Sequence, residues 1–199
     1  MNFFDRFPPP VPPEPDPAPS QLPPWAKPDA TLGGTVAKEI ILARGHDAVV
    51  GVSGLIAYQN GFSFTVTAVL RQEDRRGRTL HLAFHRDFLD DEPPAPEFLR
   101  LGVQFADGAA ASNLVGHPHL PPVTDPAGPL LMHDGGGGGG RRYEMSYWVW
   151  PLPPPGPVTF ICEWPAHGIG ESQADVDAQL IREAAVRAIP LWPDNERSN

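Results

Sequence analysis

Proline is the residue that most limits how this chain can fold. The 199 residues include 27 prolines, and 11 of them lie within residues 1–28. Because proline lacks a backbone N–H and fixes φ, a chain this rich in it cannot be mostly helical. No Gly-X-Y repeat is present, which excludes a collagen-like triple helix. The distribution predicts a proline-rich arm followed by a chain of more ordinary composition.

Residues 1–31 are predicted to be a disordered arm, because they offer too little apolar surface to offset the loss of chain entropy. Residues 6–12 also match the loose R-x-x-P-x-x-P pattern that proline-binding grooves accept. The alternative is a plain spacer. The aromatic residues of the arm are the predicted partner-binding residues: Phe3, Phe4, Phe7 and Trp25.

Residues 32–193 are predicted to form a single domain, with a disordered tail at 194–199. Apolar residues alternate with polar ones over 62–70, which is typical of a half-buried strand. Asn60-Gly61 before it is a hairpin turn signal, so residues 49–58 are the expected partner strand. The same alternation predicts strands in four further segments: residues 80–84, 99–105, 143–149 and 158–164. Residues 36–44 fit a strand or a short helix, and their β-branched pair favours the strand.

A C-terminal amphipathic helix is predicted over residues 172–189, with Ser172 as its N-cap and Pro190 after its end. About eight strands and one helix predict a mainly β fold, a two-sheet antiparallel β-sandwich. The helix is expected to cover the face that carries Trp148, Trp150 and Ile161.

The net charge is −9, which argues against a nucleic-acid partner. The chain has one cysteine, so no intrachain disulfide can form, which suits a reducing compartment. The N-terminus lacks the pattern of a signal peptide, and no apolar run approaches 18 residues. We therefore expect a cytoplasmic protein without a membrane partner, and the oligomeric state stays open.

The histidines suggest a metal site. His81 and His85 on one strand would lie roughly 13 Å apart, too far to share an ion. His117 and His119 could instead converge with His133 in a loop, where zinc or iron would accept them. The alternative is that these are solvated loop histidines. No cofactor is predicted.

Other patterns that could carry chemistry are incomplete. The six glycines at 135–140 are followed by Arg141 and a strand and not by Lys-Ser/Thr and a helix, so they predict a strand-connecting loop and no phosphate site. Cys162 lies on an apolar row, which predicts a buried, inert thiol and no catalytic residues. Trp148, Trp150 and Trp164 could form a sugar-stacking platform, although core packing explains them equally.

Two segments, 142–157 (RYEMSYWVWPLPPPGP) and 163–165 (EWP), together with LGVQFADG at 101–108, resemble an uncharacterised family of short actinobacterial proteins. The resemblance spans roughly residues 32–193. It implies no catalytic residues, so none is carried over.

These patterns favour a non-catalytic binding or interaction protein, whose proline-rich arm docks or tethers a protein partner. Two alternatives remain: a metal-dependent enzyme that uses the loop histidines, and a carbohydrate or small-ligand binder that uses the tryptophans.

Overall fold

The computed structural model describes residues 22–73, 79–85, 93–115 and 126–192. Within these ranges the chain forms twelve strands and two α-helices. In chain order they are β1 (Thr31–Leu32), β2 (Gly34–Val36), β3 (Ile40–Arg44), β4 (Ala48–Tyr58), β5 (Gly61–Leu70), α1 (Thr79–Phe84), β6 (Arg100–Gln104), β7 (Ala110–Ser112), β8 (Leu130–Gly139), β9 (Arg142–Trp150), β10 (Pro157–Trp164), β11 (Ile169–Asp177), α2 (Ala178–Val186) and β12 (Ile189–Pro190).

The fold is mainly β and consists of two antiparallel sheets packed face to face. Six strands form the larger sheet in the order β2-β4-β5-β9-β8, with β3 also paired to β4. The smaller sheet has the order β11-β10-β6-β7, and a short ribbon joins β1 to β12. The β-sandwich class is therefore confirmed, with more strands than the eight expected.

The hairpin of β4 and β5 is the centre of the larger sheet. Its turn lies at Gln59 and Asn60, within the predicted segment, although neither Asn60 nor Gly61 has the positive φ expected of an Asn-Gly turn. The register runs from Tyr58 opposite Gly61 to Ala48 opposite Leu70. A bulge between Ser53 and Ile56 shifts the pairing. The expected strand in 36–44 is confirmed as β3, which pairs with β4 further along the same edge as β2.

Aromatic side chains fill the space between the sheets. The ring centroid of Phe64 on β5 lies 5.0 Å from that of Phe160 on β10, with the rings edge to face. Phe62 approaches the same ring at 6.5 Å, and Tyr147 stacks on Phe64 at 5.7 Å. Such contacts add about 0.5–1.5 kcal/mol each beyond area burial. Those of Phe62 and Phe64 with Phe160 join the two sheets, whereas the Phe64–Tyr147 stack lies within the larger sheet.

The C-terminal helix begins later than predicted. Residues 169–177 form β11, which pairs with β10 along seven positions, so the predicted helix over 172–189 with Ser172 as its cap is wrong in its first part. Asp177 is the N-cap, and its side chain accepts a hydrogen bond from the Gln179 N–H at 2.9 Å. Residues 169–177 form a strand because they pair with the edge of β10, and this pairing outweighs a weak local preference for helix.

The helix α2 packs on the inner face of the larger sheet, beside the smaller one. Ala184 lies so close to β2 that a Cβ placed on Gly34 would be 1.8 Å from the Ala184 carbonyl oxygen. The helix therefore does not cover Trp148, whose side chain lies on the opposite face with Ser63. That part of the prediction is wrong.

The segment that covers Trp148 belongs to the predicted arm. The Trp148 indole N–H donates to the Trp25 carbonyl at 2.9 Å, and the Asn60 amide donates to the carbonyls of Pro24 and Ala26. Residues 22–31 are thus packed on the domain, and the arm boundary at residue 31 is wrong. Residues 1–21, with Phe3, Phe4 and Phe7, lie outside the described residues, as does the predicted tail at 194–199.

Residues 80–84 form the helix α1 and not a strand, which corrects the prediction. Leu80, Ala83 and Phe84 are buried, at the helical spacing i, i+3 and i+4, whereas Leu82 is exposed. Over so short a segment an alternating pattern and a helical pattern share most of their apolar positions. In the structure the segment is a helix. The Ala83 carbonyl of α1 accepts a hydrogen bond from the N–H of Leu99, just before β6.

The run of six glycines is not the strand-connecting loop that was predicted, because most of it forms part of β8. Gly136 to Gly139 belong to β8 and pair with β9, and the turn follows at Gly140. A Cβ on Gly136 or Gly138 would lie 2.4 or 2.3 Å from a carbonyl oxygen of β9. Glycine at these positions allows the close approach of the two strands.

Replacing Phe64 by Asp tests the sandwich core. The side chain is 1% exposed, so the substitution buries an unpaired charge, and we expect the free energy of unfolding to fall by more than about 4 kcal/mol. Thr65→Asp, one residue on and facing outward, should cost about 1 kcal/mol. Equal losses in chemical denaturation would contradict the assigned facing of β5.

Replacing Gly34 by Ala tests the docking of α2. The added methyl group has no space against the Ala184 carbonyl, so we expect a loss of about 1–3 kcal/mol in thermal or chemical unfolding. Gly137→Ala is the matched control, because nothing lies within 4 Å of its Cβ position. A stable Gly34→Ala variant would show that α2 packs elsewhere.

Candidate functional site

Both ends of the described chain meet at one place on the domain. Leu32 pairs with Ile189 and Thr31 with Pro190 in the ribbon of β1 and β12. The Leu191 N–H continues the ladder by donating to the Ala30 carbonyl at 2.9 Å. The chain therefore enters and leaves the sandwich side by side.

Large apolar side chains are exposed at this place, and we call them the chain-end surface. Their exposed fractions run from 46% for Leu191 to 61% for Ile189 and Trp192. A groove of about 480 Å³ lies between residues 22–31, Asn60 and Trp192. Exposed apolar side chains that lie near one another can mark an interaction surface. The chain-end surface consists of Leu22 and Trp192, which line the groove, together with Leu32, Ile189 and Leu191 at the adjoining ribbon.

The wall of this groove is held in place by polar contacts. The Lys27 ammonium lies 2.5 Å from an Asp134 carboxylate oxygen and 5.7 Å from the Tyr58 ring centroid. With the two hydrogen bonds from Asn60, these contacts fix the backbone of residues 22–30 on the sheet. The chain-end surface is thus built on ordered structure, which lowers the entropic cost of binding.

A second groove of about 480 Å³ crosses the outer face of the smaller sheet. Its floor is open at Gly102, and the Arg100–Glu163 ion pair at 2.5 Å lies at one side. Leu114 and Val115 are its most exposed apolar residues, at 37% and 57%. Two large exposed apolar side chains lie here, whereas five belong to the chain-end surface, which is therefore the better candidate.

The helix α1 brings two histidines together that a strand would separate. His81 and His85 lie one turn apart, with ring centroids 4.2 Å apart. His133 on β8 lies 6.2 Å from His85, and the Tyr143 hydroxyl is 2.9 Å from His85 Nε2. We call His81, His85 and His133 the histidine cluster. Partial burial lowers the pKa of His85, and the neighbouring His81 and His133 lower it further.

Only one of the three predicted metal ligands lies among the described residues. His133 belongs to the histidine cluster, whereas His117 and His119 lie outside the described residues, so their approach to His133 stays a prediction. Among the described ranges, no group of three or more His, Cys, Asp and Glu side chains could hold a metal ion. The sequence patterns do not predict the approach of His81 and His85, because they assign residues 80–84 to a strand. The i, i+4 spacing of the two histidines was the signal available.

The single cysteine is a free thiol inside the core. Cys162 is 1% exposed on the inner row of β10, and burial raises the pKa of its thiol to about 12. His167, the histidine nearest in sequence, hydrogen-bonds to Asp47 at 3.1 Å and packs its ring 4.1 Å from that of Trp164. The prediction of a buried thiol is confirmed.

The tryptophans mostly pack inside the domain. Trp148 and Trp164 are no more than 1% exposed, and their indole N–H groups donate to the carbonyls of Trp25 and Glu97. A sugar would need an exposed ring face, so these two side chains cannot provide a stacking platform. Trp150 is half-buried. The most exposed tryptophan described is Trp192, which the sequence patterns did not single out.

Comparison with protein families, with curated proteins and with solved structures finds no match. The resemblance to the actinobacterial family therefore stays a prediction. Neither α1 nor α2 is long and apolar enough to cross a membrane, nor is any other helix of the described residues.

The histidine cluster predicts a pH effect. The proton NMR titration of His85 should have its midpoint below the ordinary value of 6.5. Because the unfolded chain then binds the proton more readily, the stability that this group contributes is present above pH 6.5 and is lost as the pH falls through the folded pKa. The double variant His81→Ala/His133→Ala should raise the midpoint without restoring it fully, since burial remains.

The variant His85→Ala assigns the resonance by removing it. A midpoint at or above 6.5 in the unsubstituted protein would contradict the contacts described for this ring.

Proposed function

We propose that this chain is an interaction protein that acts by binding and not by catalysis, and that it binds through the chain-end surface. The observation that carries the proposal is the exposure of five large apolar side chains at one ordered place. A lone exposed leucine is ordinary, whereas a group of this kind costs solubility unless a partner covers it.

We propose further that the occupant of this surface is the N-terminal arm of a second copy. The arm begins at the surface itself, since Leu22 lines the groove. The preceding residues carry three phenylalanines, Phe3, Phe4 and Phe7, which supply the apolar side chains that such a groove accepts. The arm is thus the partner-docking element expected from the sequence, and Trp25 is part of the wall on which it is mounted.

The length and composition of the arm favour a second copy over the same chain. Fourteen residues separate Phe7 from Leu22, and eight of them are prolines. Proline-rich chain extends by about 3.1 Å per residue and stays stiff over several residues, which gives a reach of roughly 43 Å. Returning to the groove of the same chain would need a sharp reversal, and proline has no N–H with which to stabilise one. The composition of the arm therefore favours a groove on another molecule as the one that its phenylalanines bind.

We also propose that the protein is cytoplasmic and that it belongs to the actinobacterial family that its central segments resemble. The single free thiol supports a reducing compartment. The alternative of a carbohydrate-binding protein has less support, because Trp148 and Trp164 are buried.

Sedimentation of the full chain over a range of concentrations tests self-association. We expect a concentration-dependent oligomer, and we expect deletion of residues 1–21 to weaken it at least tenfold. Trp192→Ser should weaken it similarly, because it removes the largest exposed apolar side chain of the surface. Ile41→Ser is the matched control, since Ile41 on β3 is 54% exposed but lies outside the chain-end surface.

Mixing the variants sharpens the test. The deletion variant retains the surface, and the Trp192→Ser variant retains the arm, so the two should associate with each other when neither associates alone. A chain that stays monomeric up to high concentration, or an oligomer that survives both changes, would overturn the proposal.

A further inference from the structure

We propose that the groove on the outer face of the smaller sheet binds a small organic cation with an apolar body. We call this groove the outer groove. Gly102 and Ile161 line it on the sheet, and Arg100, Glu163 and Glu171 lie at one side. The outer groove shares no residue with the chain-end groove, so this proposal does not depend on the proposed self-association.

Gly102 leaves an open space in the outer face of the smaller sheet. It pairs with Ile161 on one side and Ser112 on the other, with no register shift in either pairing. Its φ is not positive, and a Cβ placed on it would lie no closer than 3.6 Å to any described atom beyond its chain neighbours. Glycine inside a strand often marks a bulge, a tight bend or the close approach of a ligand. The pairing excludes a bulge, and the open space suits a ligand.

The size and lining of the outer groove suit a small molecule better than a protein. Its volume of about 480 Å³ lies within the range of about 300–1,000 Å³ that is typical of small-molecule sites. Such sites have mostly apolar walls and a few polar groups that orient the ligand. Here the apolar atoms come from Ala111, Leu114, Val115 and Ile161. Leu114 and Val115, the two large exposed side chains among them, are too few for a stable protein interface.

The charges of the outer groove favour a cation. Arg100 Nη1 lies 2.5 Å from Glu163 Oε2, so these two charges neutralise each other. Glu171 also lines the groove, is exposed, and forms no ion pair within the described ranges. One carboxylate beside an apolar floor is complementary to a ligand that joins an ammonium or amidinium group to an apolar body. Because Glu171 is exposed, we expect it to select the sign of the ligand charge more than to add affinity.

Amide NMR of the full chain during titration with 4-phenylbutylammonium tests the site. We expect saturable shifts centred on Gly102, Ser112 and Ile161. The anion 5-phenylpentanoate, which has a similar shape, should bind about three- to fivefold more weakly, and Glu171→Gln should abolish this preference for the cation. Glu39→Gln is the matched control, because Glu39 is exposed but lies outside the outer groove.

The variant Gly102→Val separates ligand binding from folding. The valine side chain would fill the floor of the outer groove, and β-branched residues suit a strand. We therefore expect the cation to bind at least tenfold more weakly while the free energy of unfolding stays unchanged or rises. Gly137→Val is the matched control, because nothing lies within 4 Å of its Cβ position, and it should leave binding unchanged.

Three results would overturn the proposal. The first is the absence of saturable shifts at the outer groove. The second is binding that survives Gly102→Val, or a preference for the cation that survives Glu171→Gln. The third is a shift of the same amides when only the protein concentration is raised, because the occupant of the groove would then be a second copy of the chain.

Discussion

The packing of Phe64 against Phe160 is the contact on which the rest of the structure depends, because it joins the two sheets at the centre of the core. β5 carries Phe64 in the middle of the larger sheet, and β10 carries Phe160 in the middle of the smaller one. Once these strands face each other, each sheet has a defined inner and outer face. Trp148 lies on the outer face of β9, so a segment outside the core has to cover it.

Different segments cover the inner and the outer face of the larger sheet. Their positions explain where the chain-end surface lies. The helix α2 fills the inner face beside the smaller sheet, close to Gly34. The segment before β1 covers Trp148 on the outer face and is held there by the Trp148 and Asn60 hydrogen bonds. Both pieces adjoin the ribbon of β1 and β12, so covering the sandwich brings the chain ends together. The apolar residues beyond the ribbon have no remaining core to enter and stay exposed.

The sequence predicts those elements whose pattern is long and whose partners are close in the chain. The β4–β5 hairpin has alternation over residues 62–70 and a turn signal just before them, and both of its strands lie where these patterns predict. The segment 80–84 is too short for its apolar pattern to distinguish strand alternation from helical spacing. In the structure Ala83 is buried and Leu82 is exposed, which is the helical pattern. Residues 169–177 and the glycines of β8 form strands because they pair with β10 and β9. The local sequence pattern contains no sign of this pairing.

The candidate sites follow the same rule. The thiol of Cys162 could be predicted as buried because its neighbours alternate strongly. The chain-end surface depends on pairing between residues 32 and 189, far apart in sequence, and no local signal announces it. The histidine cluster needs both the correct element for α1 and the approach of β8, so an incorrect strand assignment separates its members.

One contact joins the chain-end surface to the histidine cluster, and its strength decides how far the two are coupled. Lys27, in the segment that walls the chain-end groove, is ion-paired to Asp134, the residue after His133. Both side chains are about one-third exposed, and ion pairs of this kind contribute about 0–1 kcal/mol. Coupling through this pair can therefore change an equilibrium at either place, such as the protonation of His85, by no more than about fivefold. The chain-end surface and the histidine cluster are thus largely independent parts of one sandwich, each set by the element that closes its own part of the fold.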